Sequence, residues 1–185
     1  MRVISGLAKA TKLETLDTMD TRPTLDRVKE ALFNILQSEI FDSVILDLFA
    51  GSGALGIESL SRGAKKAIFC DKSKYAIDII RKNLIKTKLE SKSIVFNTGF
   101  DECLDLLKEK INIVFLDPPY NTTLAEEAIL KILNKNLLSN NAIIIVETND
   151  ENKIITGVVN TEIQVYDIRK YGNAKLVFLK RKEQL

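Results

Sequence analysis

The tetrapeptide Asp117-Pro118-Pro119-Tyr120 follows directly on the apolar run Ile111–Leu116. Two successive prolines fix φ and remove two backbone donors, so a stiff loop with outward carbonyls is expected there. An acid, a held carbonyl and an aromatic face on one short loop suit a planar substrate that carries an NH2 group. Asp117 and the carbonyl of Pro118 can each accept one N–H, which aims the nitrogen and favours its pyramidal, more nucleophilic form. Tyr120 offers a flat face on which a nucleic-acid base can stack, worth roughly 1–3 kcal/mol. An amine that becomes a cation on alkylation loses a proton readily to Asp117 or water, so positioning and charge placement are the main tasks. The chain contains no histidine. That removes the commonest general base, the usual hydrolase triads and most zinc sites.

A second loop has the chemistry of a cofactor cradle. Asp47-Leu48-Phe49-Ala50-Gly51-Ser52-Gly53-Ala54-Leu55-Gly56 runs out of the apolar stretch Val44–Phe49. Gly51, Gly53 and Gly56 match G-x-G-x-x-G in the strand-to-helix setting which that motif requires. Asp71, followed by Lys72, lies twenty residues beyond Gly51 at the end of the next apolar run. An acid so placed can accept hydrogen bonds from ribose hydroxyls. These features alone fit a nicotinamide dinucleotide or an adenosyl cofactor. Asp47 separates the two, because a carboxylate close to the ligand repels pyrophosphate but suits an ammonium or sulfonium. The expected ligand is therefore S-adenosyl-L-methionine, with Asp47, Phe49, Ala50, Gly51, Ser52, Gly53, Asp71 and Lys72 as candidate contacts.

Both loops must be positioned by the elements around them. From residue 44 onward, apolar runs at Val44–Phe49, Ala67–Cys70, Ile94–Phe96, Ile111–Leu116 and Ala142–Val146 read as buried strands. Helical patterns near 54–62, 73–88, 100–109 and 123–134 alternate with them, and Thr123 with Glu126 forms a capping-box pattern. Such alternation predicts a parallel sheet with right-handed crossovers, so both loops leave the same edge. Glu162–Arg169 and Leu176–Leu179, around Tyr171-Gly172-Asn173, predict a closing antiparallel hairpin. Ahead of these, residues 1–23 are polar and strand-like in patches. A helix over about 25–38 follows, with Leu25, Val28, Leu32, Ile35 and Leu36 as its apolar stripe and Thr24 as N-cap.

At 185 residues, 45% hydrophobic and 28% charged, the chain has an ordinary globular composition. No apolar run approaches the roughly 20 residues of a membrane helix, and residues 1–6 have no signal-peptide pattern. Cys70 and Cys103 have neither metal-ligand spacing nor the numbers for a disulfide framework, so no metal and a reducing cytoplasm are expected. The net charge of +2 conceals segregation: residues 61–92 hold ten Lys/Arg against three acids, and residues 93–151 hold ten acids against four lysines. Basic stretches can recruit a polyanion through phosphate contacts, and they can equally be the solvated faces of amphipathic helices.

The Asp-Pro-Pro-Tyr loop resembles the hallmark of the amino-methyltransferase branch of the class I methyltransferases. Arg2-Val3-Ile4-Ser5-Gly6, the segment Thr21-Arg22-Pro23-Thr24-Leu25-Asp26-Arg27 through Asn34, Asp47–Gly63 and Asp117–Tyr120 together resemble the bacterial small-subunit rRNA guanine-N2 methyltransferases of RsmD type. The resemblance spans nearly the whole chain. It implies a class I, Rossmann-like, mostly parallel seven-stranded sheet with helices on both faces and a C-terminal antiparallel hairpin. It also implies transfer of a methyl group from S-adenosyl-L-methionine to N2 of one guanosine of 16S rRNA, by a cytoplasmic monomer acting on the small ribosomal subunit or its assembly intermediate.

On this reading residues 1–40 are an RNA-binding appendage with a lead-in helix, and residues 41–185 are the methyltransferase domain. Asp117, Pro118, Pro119 and Tyr120 are catalytic, and Arg22, Thr24 and Arg27 hold the substrate RNA. Asn97-Thr98-Gly99-Phe100 stands where many methyltransferases have an acid reading the adenine amine, so that contact is expected from the backbone near Phe100. DNA adenine-N6 and protein-glutamine methyltransferases use the same kind of loop and are the nearest alternatives. A nicotinamide oxidoreductase would leave Asp47 and the double proline without a purpose.

Overall fold

The computed structural model describes residues 1–16 and 23–182, the side chains of residues 23–25 excepted. Its strands are β1 (Val44–Asp47), β2 (Lys66–Asp71), β3 (Ser93–Asn97), β4 (Ile111–Leu116), β5 (Leu138–Thr148), β6 (Ile163–Tyr171) and β7 (Ala174–Arg181). They form one sheet in the order β3-β2-β1-β4-β5-β7-β6. The first five pair in parallel, and β7 joins antiparallel to both β5 and β6. The helices are α1 (Pro23–Ile35), α2 (Ala54–Ser61), α3 (Lys74–Thr87), α4 (Phe100–Leu106), α5 (Leu124–Asn134) and α6 (Glu151–Val158). The class I methyltransferase sheet with its terminal hairpin is thus present.

Alternation along the central strands divides the core in two. Ile45, Phe69, Ile113 and Phe115 point to one face and meet Phe33, Ile57 and Ile80 from α1, α2 and α3. Leu46, Ile68, Val114 and Leu116 point to the other and meet Leu104, Ile129 and Ile154 from α4, α5 and α6. Parallel strands covered on both faces are near-continuously apolar for this reason.

Several boundaries differ from the sequence-based expectation. α1 begins at Pro23, so Thr24 lies within its first turn and does not precede it; proline is tolerated at a helix start because its missing N–H would be unpaired there anyway. The helix ends at Ile35, and Leu36 is buried in the turn that follows. β5 is longer than expected because Leu138 pairs with Ile111 and the ladder resumes at Ile143 with Ile113, a register shift that absorbs the polar Ser139-Asn140-Asn141. The hairpin turn narrows to Gly172-Asn173, with Tyr171 already paired to Ala174. The Thr123 capping box does not form: Thr123 makes no side-chain bond to the helix backbone and donates its hydroxyl to Glu127 Oε1 at 2.5 Å, one residue past the expected partner. α6 was not anticipated, since Glu151–Val158 is short and contains Gly157.

The front of the chain is fastened to the sheet domain by buried polar groups. Glu58, fully buried on α2, accepts from the backbone N–H of Ile4 at 2.8 Å and of Ser5 at 3.0 Å, and from Arg62 Nε at 2.7 Å. Lys29 Nζ lies 3.4 Å from the same carboxylate and donates to the carbonyl of Arg2. Asn83 on α3 accepts from Glu14 N and donates to the carbonyls of Glu14 and Ser52, joining the front segment to the glycine loop. Gly6, at φ +84°, sits so close to α2 that a Cβ there would lie 1.7 Å from the Ser61 carbonyl oxygen. Val3, Ala8 and Leu13 join the core between these anchors.

Replacing Glu58 strands two backbone donors and two cations in a buried site, and breaking a buried pair on one side is strongly destabilising. Glu58→Ala is expected to lower the unfolding free energy by about 3 kcal/mol, read as a reduced urea midpoint, with faster proteolysis within residues 1–16. A loss below about 0.5 kcal/mol, the ordinary surface range, would refute the fastening role.

Candidate functional site

β1 sits between β2 and β4, so the loops after β1 and β4 leave toward opposite faces. In an open parallel sheet, such a reversal of strand order leaves a crevice at the carboxyl ends. Asp47 pairs with Phe115 across β1 and β4, and Leu48 N donates to the Phe115 carbonyl at 3.2 Å. A cavity of about 540 Å³ opens here, lined by Asp47, Phe49, Ala50, Gly51, Ser52, Asp117 and Glu147, with Met1, Thr15, Leu16, Asp26 and Lys29 from the front segment and α1. That volume lies in the range of small-molecule sites.

The glycine loop is shaped by carboxylates as well as by its glycines. Gly51 and Gly53 both take positive φ, at +54° and +75°. Asp71 Oδ2 accepts from Gly51 N at 2.9 Å, and its Oδ1 accepts from Ser73 N at 2.8 Å. Each oxygen retains a further lone pair for a ligand donor. Asp47 Oδ2 accepts from Gly56 N at 3.0 Å, holding the start of α2 from inside β1. Gly56 lies against Phe69, where a Cβ would come within 2.3 Å of the ring, so this third glycine serves helix-to-strand packing. The Phe49 and Phe100 rings stand 5.8 Å apart, and Asn97 Nδ2 donates to the carbonyls of Asp71 and Lys72.

The second loop borders the same cavity and continues beyond it. Asp117 lines the cavity itself. Pro118, Pro119 and Tyr120 line a smaller cleft beside it, and Glu147 is common to both. Tyr120 is 45% exposed, leaving room for a planar partner, and its hydroxyl donates to Glu147 Oε1 at 3.1 Å. Thr122 Oγ1 donates to the Pro119 carbonyl at 2.8 Å and so braces the loop.

Carboxylates crowd the site. Burial pushes the Asp47 carboxyl up to about 7; the Gly56 N–H opposes this and the Asp71 charge adds to it. Asp117 is raised well above the ordinary carboxylate range, by desolvation in the crevice and then by the charges of Glu147 and Asp47. Its residue is nonetheless exposed at the cavity mouth, so the neighbouring carboxylates are the more durable cause. Burial raises Glu147 as well, with the Tyr120 hydroxyl opposing. Tyr120 is raised by burial and by Glu147. Lys29, the cavity's one basic lining residue among the described residues, is lowered by burial despite Glu58 and is already engaged by Glu58 and Arg2.

Of the residues singled out from sequence, Asp47, Phe49, Ala50, Gly51, Ser52 and Asp117 meet around the cavity. Gly53 and Asp71 support its glycine loop from behind. Phe100 reaches it only through Phe49, and Lys72 is exposed on the turn after β2. Arg27 is exposed and borders a separate cavity with Arg2, Lys9 and Glu30. Arg22 and the side chain of Thr24 lie outside the described residues. Sequence reasoning missed Glu147, Lys29, Asp26 and Leu16. Glu147 had a signal: it ends the apolar run Ile143–Val146 as Asp117 ends Ile111–Leu116. The other three enter through the fold of the front segment, which no local pattern announces. Among the described residues no group of acids and cysteines is arranged to hold a metal ion, and no helix is long and apolar enough to cross a membrane.

Residues 1–180 match the family described as Conserved hypothetical protein 95. The Ribosomal RNA small subunit methyltransferase D of Haemophilus influenzae is 44% identical over 162 residues, covering 84% of this chain and 82% of that protein. The protein of the same name from Escherichia coli K12 is 39% identical over 160 residues, covering 86% and 80%. The solved structure of yhhF from Escherichia coli superposes with a TM-score of 0.86 at 34% identity, covering 100% of this chain and 99% of that one. With this match over nearly its full length, the same seven-stranded sheet and the two loops converging on one crevice, the chain belongs to the Conserved hypothetical protein 95 family, the RsmD-type family of class I methyltransferases.

Proposed function

We propose that this protein transfers a methyl group from S-adenosyl-L-methionine to the exocyclic N2 amine of a guanosine in 16S rRNA. One observation carries the reading: the glycine loop and Asp117 line a single cavity, and Tyr120 stands half exposed in the adjoining cleft that shares Glu147 with it. The names of the relatives, which specify small-subunit ribosomal RNA, support the substrate class.

The residues present fit this cofactor. Four carboxylates, Asp26, Asp47, Asp117 and Glu147, line the cavity with one already engaged lysine, a lining that favours a sulfonium and an ammonium over a pyrophosphate. Asp26 adds a buried Oδ1 without a hydrogen-bond partner among the described residues, at a cavity wall where a ligand donor could meet it. Asp47, Phe49, Ala50, Gly51 and Ser52 would hold the cofactor, with Gly53, Asp71, Lys72 and Phe100 in support. When bound, S-adenosyl-L-methionine supplies an electrophilic methyl group on a sulfonium sulfur.

The protein's own task is to present the amine. Asp117 and the Pro118 carbonyl accept the two N–H bonds of the base amine and turn its lone pair inward, while Tyr120 carries the ring. As the nitrogen gains its fourth bond, the Asp117 carboxylate faces the developing cation and takes the proton it sheds. Residues 1–40 serve as the RNA-contacting part, where Arg2, Lys9 and Arg27, with Asp26 and Glu30 among them, border an open cavity and offer cations to phosphates. Arg22 and Thr24 belong to the same stretch of sequence. The remainder carries out the transfer.

Small-subunit particles or 16S RNA from cells lacking this protein, incubated with methyl-labelled cofactor and digested to nucleosides, should yield labelled N2-methylguanosine by mass spectrometry. Label in N6-methyladenosine, in DNA or in protein would overturn the assignment. Asp117→Ala should lower kcat by about 100-fold or more while calorimetry shows cofactor binding retained; near-normal turnover would remove Asp117 from the mechanism.

The Asp47 carboxyl gives a pH dependence whose sign follows from its position at about 7. The folded protein holds this proton more tightly than the unfolded chain, so the contribution of Asp47 to stability declines as pH rises from about 4 to about 7. Binding of a cation has the opposite sense, being favoured once Asp47 is ionised. Cofactor affinity should therefore rise with pH through about 7, with proton release on binding near pH 6.5 read from calorimetry in buffers of different ionisation enthalpy. Asp47→Asn should abolish that release, weaken cofactor binding and raise the melting temperature at pH 8. Unchanged proton release in the variant would exclude Asp47 as the linked group.

A further inference from the structure

We propose that Glu147 is a specificity-determining residue that reads the Watson–Crick edge of the target guanine, accepting its N1–H beside the amine held by Asp117; this rests on the methyl transfer to guanine N2 proposed above. The placement comes from the sheet. β4 and β5 pair in parallel with Leu116 opposite Val146, so Asp117 and Glu147, each one residue further on, stand abreast at the carboxyl edge. Glu147 lines both the main cavity and the cleft beneath Tyr120, the two spaces that a stacked base would bridge.

Its two oxygens have different surroundings. Oε1 accepts from the Tyr120 hydroxyl at 3.1 Å, which fixes the orientation of the carboxylate. Oε2 has no hydrogen-bond partner among the described residues, while burial raises the acid above its ordinary range. A carboxylate half withdrawn from water, anchored on one side and open on the other, is suited to accept a donor from a ligand. Tyr120, the proposed stacking surface, is thereby the residue that aims Glu147.

Guanine presents two kinds of donor side by side on this edge, N1–H and the N2 amine. Two carboxylates abreast match such a donor–donor pair. Adenine presents the lone pair of N1 next to its N6 amine, and a carboxylate facing that lone pair is repelled. The Asp-Pro-Pro-Tyr loop alone can hold either amine, so discrimination has to come from a neighbour that senses the ring nitrogen. A site built to bond a substrate N–H rejects analogues that lack it, because its own buried polar group is left unpaired.

2-Aminopurine isolates this contact, since it keeps the 2-amine but has no hydrogen on N1. The methylated position is first mapped in the native particle. 16S RNA carrying guanosine or 2-aminopurine at that position is then assembled by ligation, reconstituted into small-subunit particles and compared by kcat/KM. Wild-type protein should prefer guanosine by about 10–100-fold. Glu147→Ala should bring the two within about 3-fold. Glu147→Gln keeps the shape and a partner for the Tyr120 hydroxyl but turns an N–H toward ring N1, so its preference should vanish or reverse. Any loss of S-adenosyl-L-methionine affinity in the variants, read by calorimetry, should be the same whichever base the particle carries, so the ratio of guanosine to 2-aminopurine isolates the base contact. A wild-type preference that survives in both variants, or a loss of cofactor affinity equal to the loss of methylation, overturns the assignment. Wild-type protein that methylates neither base overturns the parent reading and this one with it.

Discussion

β1 and β4 lie side by side with Asp47 opposite Phe115, and this pairing brings together two loops whose acids, Asp47 and Asp117, are seventy residues apart in the chain. The strands can be neighbours because each offers one apolar face to each half of the core. The crossovers then cover both faces with helices. A crevice at the carboxyl edge follows from the reversal of strand order between β2-β1 and β1-β4. Everything the site does chemically depends on that crevice being lined by the ends of strands, whose positions are held by ladder hydrogen bonds, with loops supplying only the tips.

The crevice is unusual in its concentration of acid. Asp47, Asp117 and Glu147 end or nearly end three neighbouring strands, and Asp26 approaches from α1. Withdrawing them from water carries a cost: burial raises the carboxyls of Asp47, Asp117 and Glu147, and the charges of Glu147 and Asp47 raise Asp117 further. Here part of the cost is offset structurally, because Asp47 and Asp71 accept backbone N–H groups of the glycine loop and the start of α2. The same carboxylates therefore shape the loop and set the potential that a bound cation would meet.

The front segment is built into this arrangement. Glu58, Ser61 and Asn83 bind its backbone from α2 and α3, while Leu16 and Met1 contribute to the cavity wall. Basic side chains of the same segment, Arg2 and Lys9, face a different, open cavity with Arg27. The segment that is fastened by buried polar bonds thus contributes both to the wall of the crevice and to this second, partly basic cavity.

Local chemistry was legible without a structure. The glycine turn, the double-proline loop, the alternation of strands and helices, and the terminal hairpin each follow from short-range rules on φ, periodicity and turn residues, and all five core strands before the hairpin fall where the apolar runs lie. Those rules stop at contacts between distant residues. Glu58, Asn83 and Lys29 look like ordinary helix-surface residues, yet they are buried because the front segment folds over them. Thr123 and Glu126 have the spacing of a capping box, but the Thr123 hydroxyl bonds Glu127 and makes no bond to the helix backbone. Residue types and spacing thus determined which chemistry was available, since conformational preference and functional groups are properties of the chain itself. Only the tertiary structure decided which groups share one space. Strand register placed Glu147 beside Asp117, and their surroundings in the fold raised both carboxyls above the ordinary range.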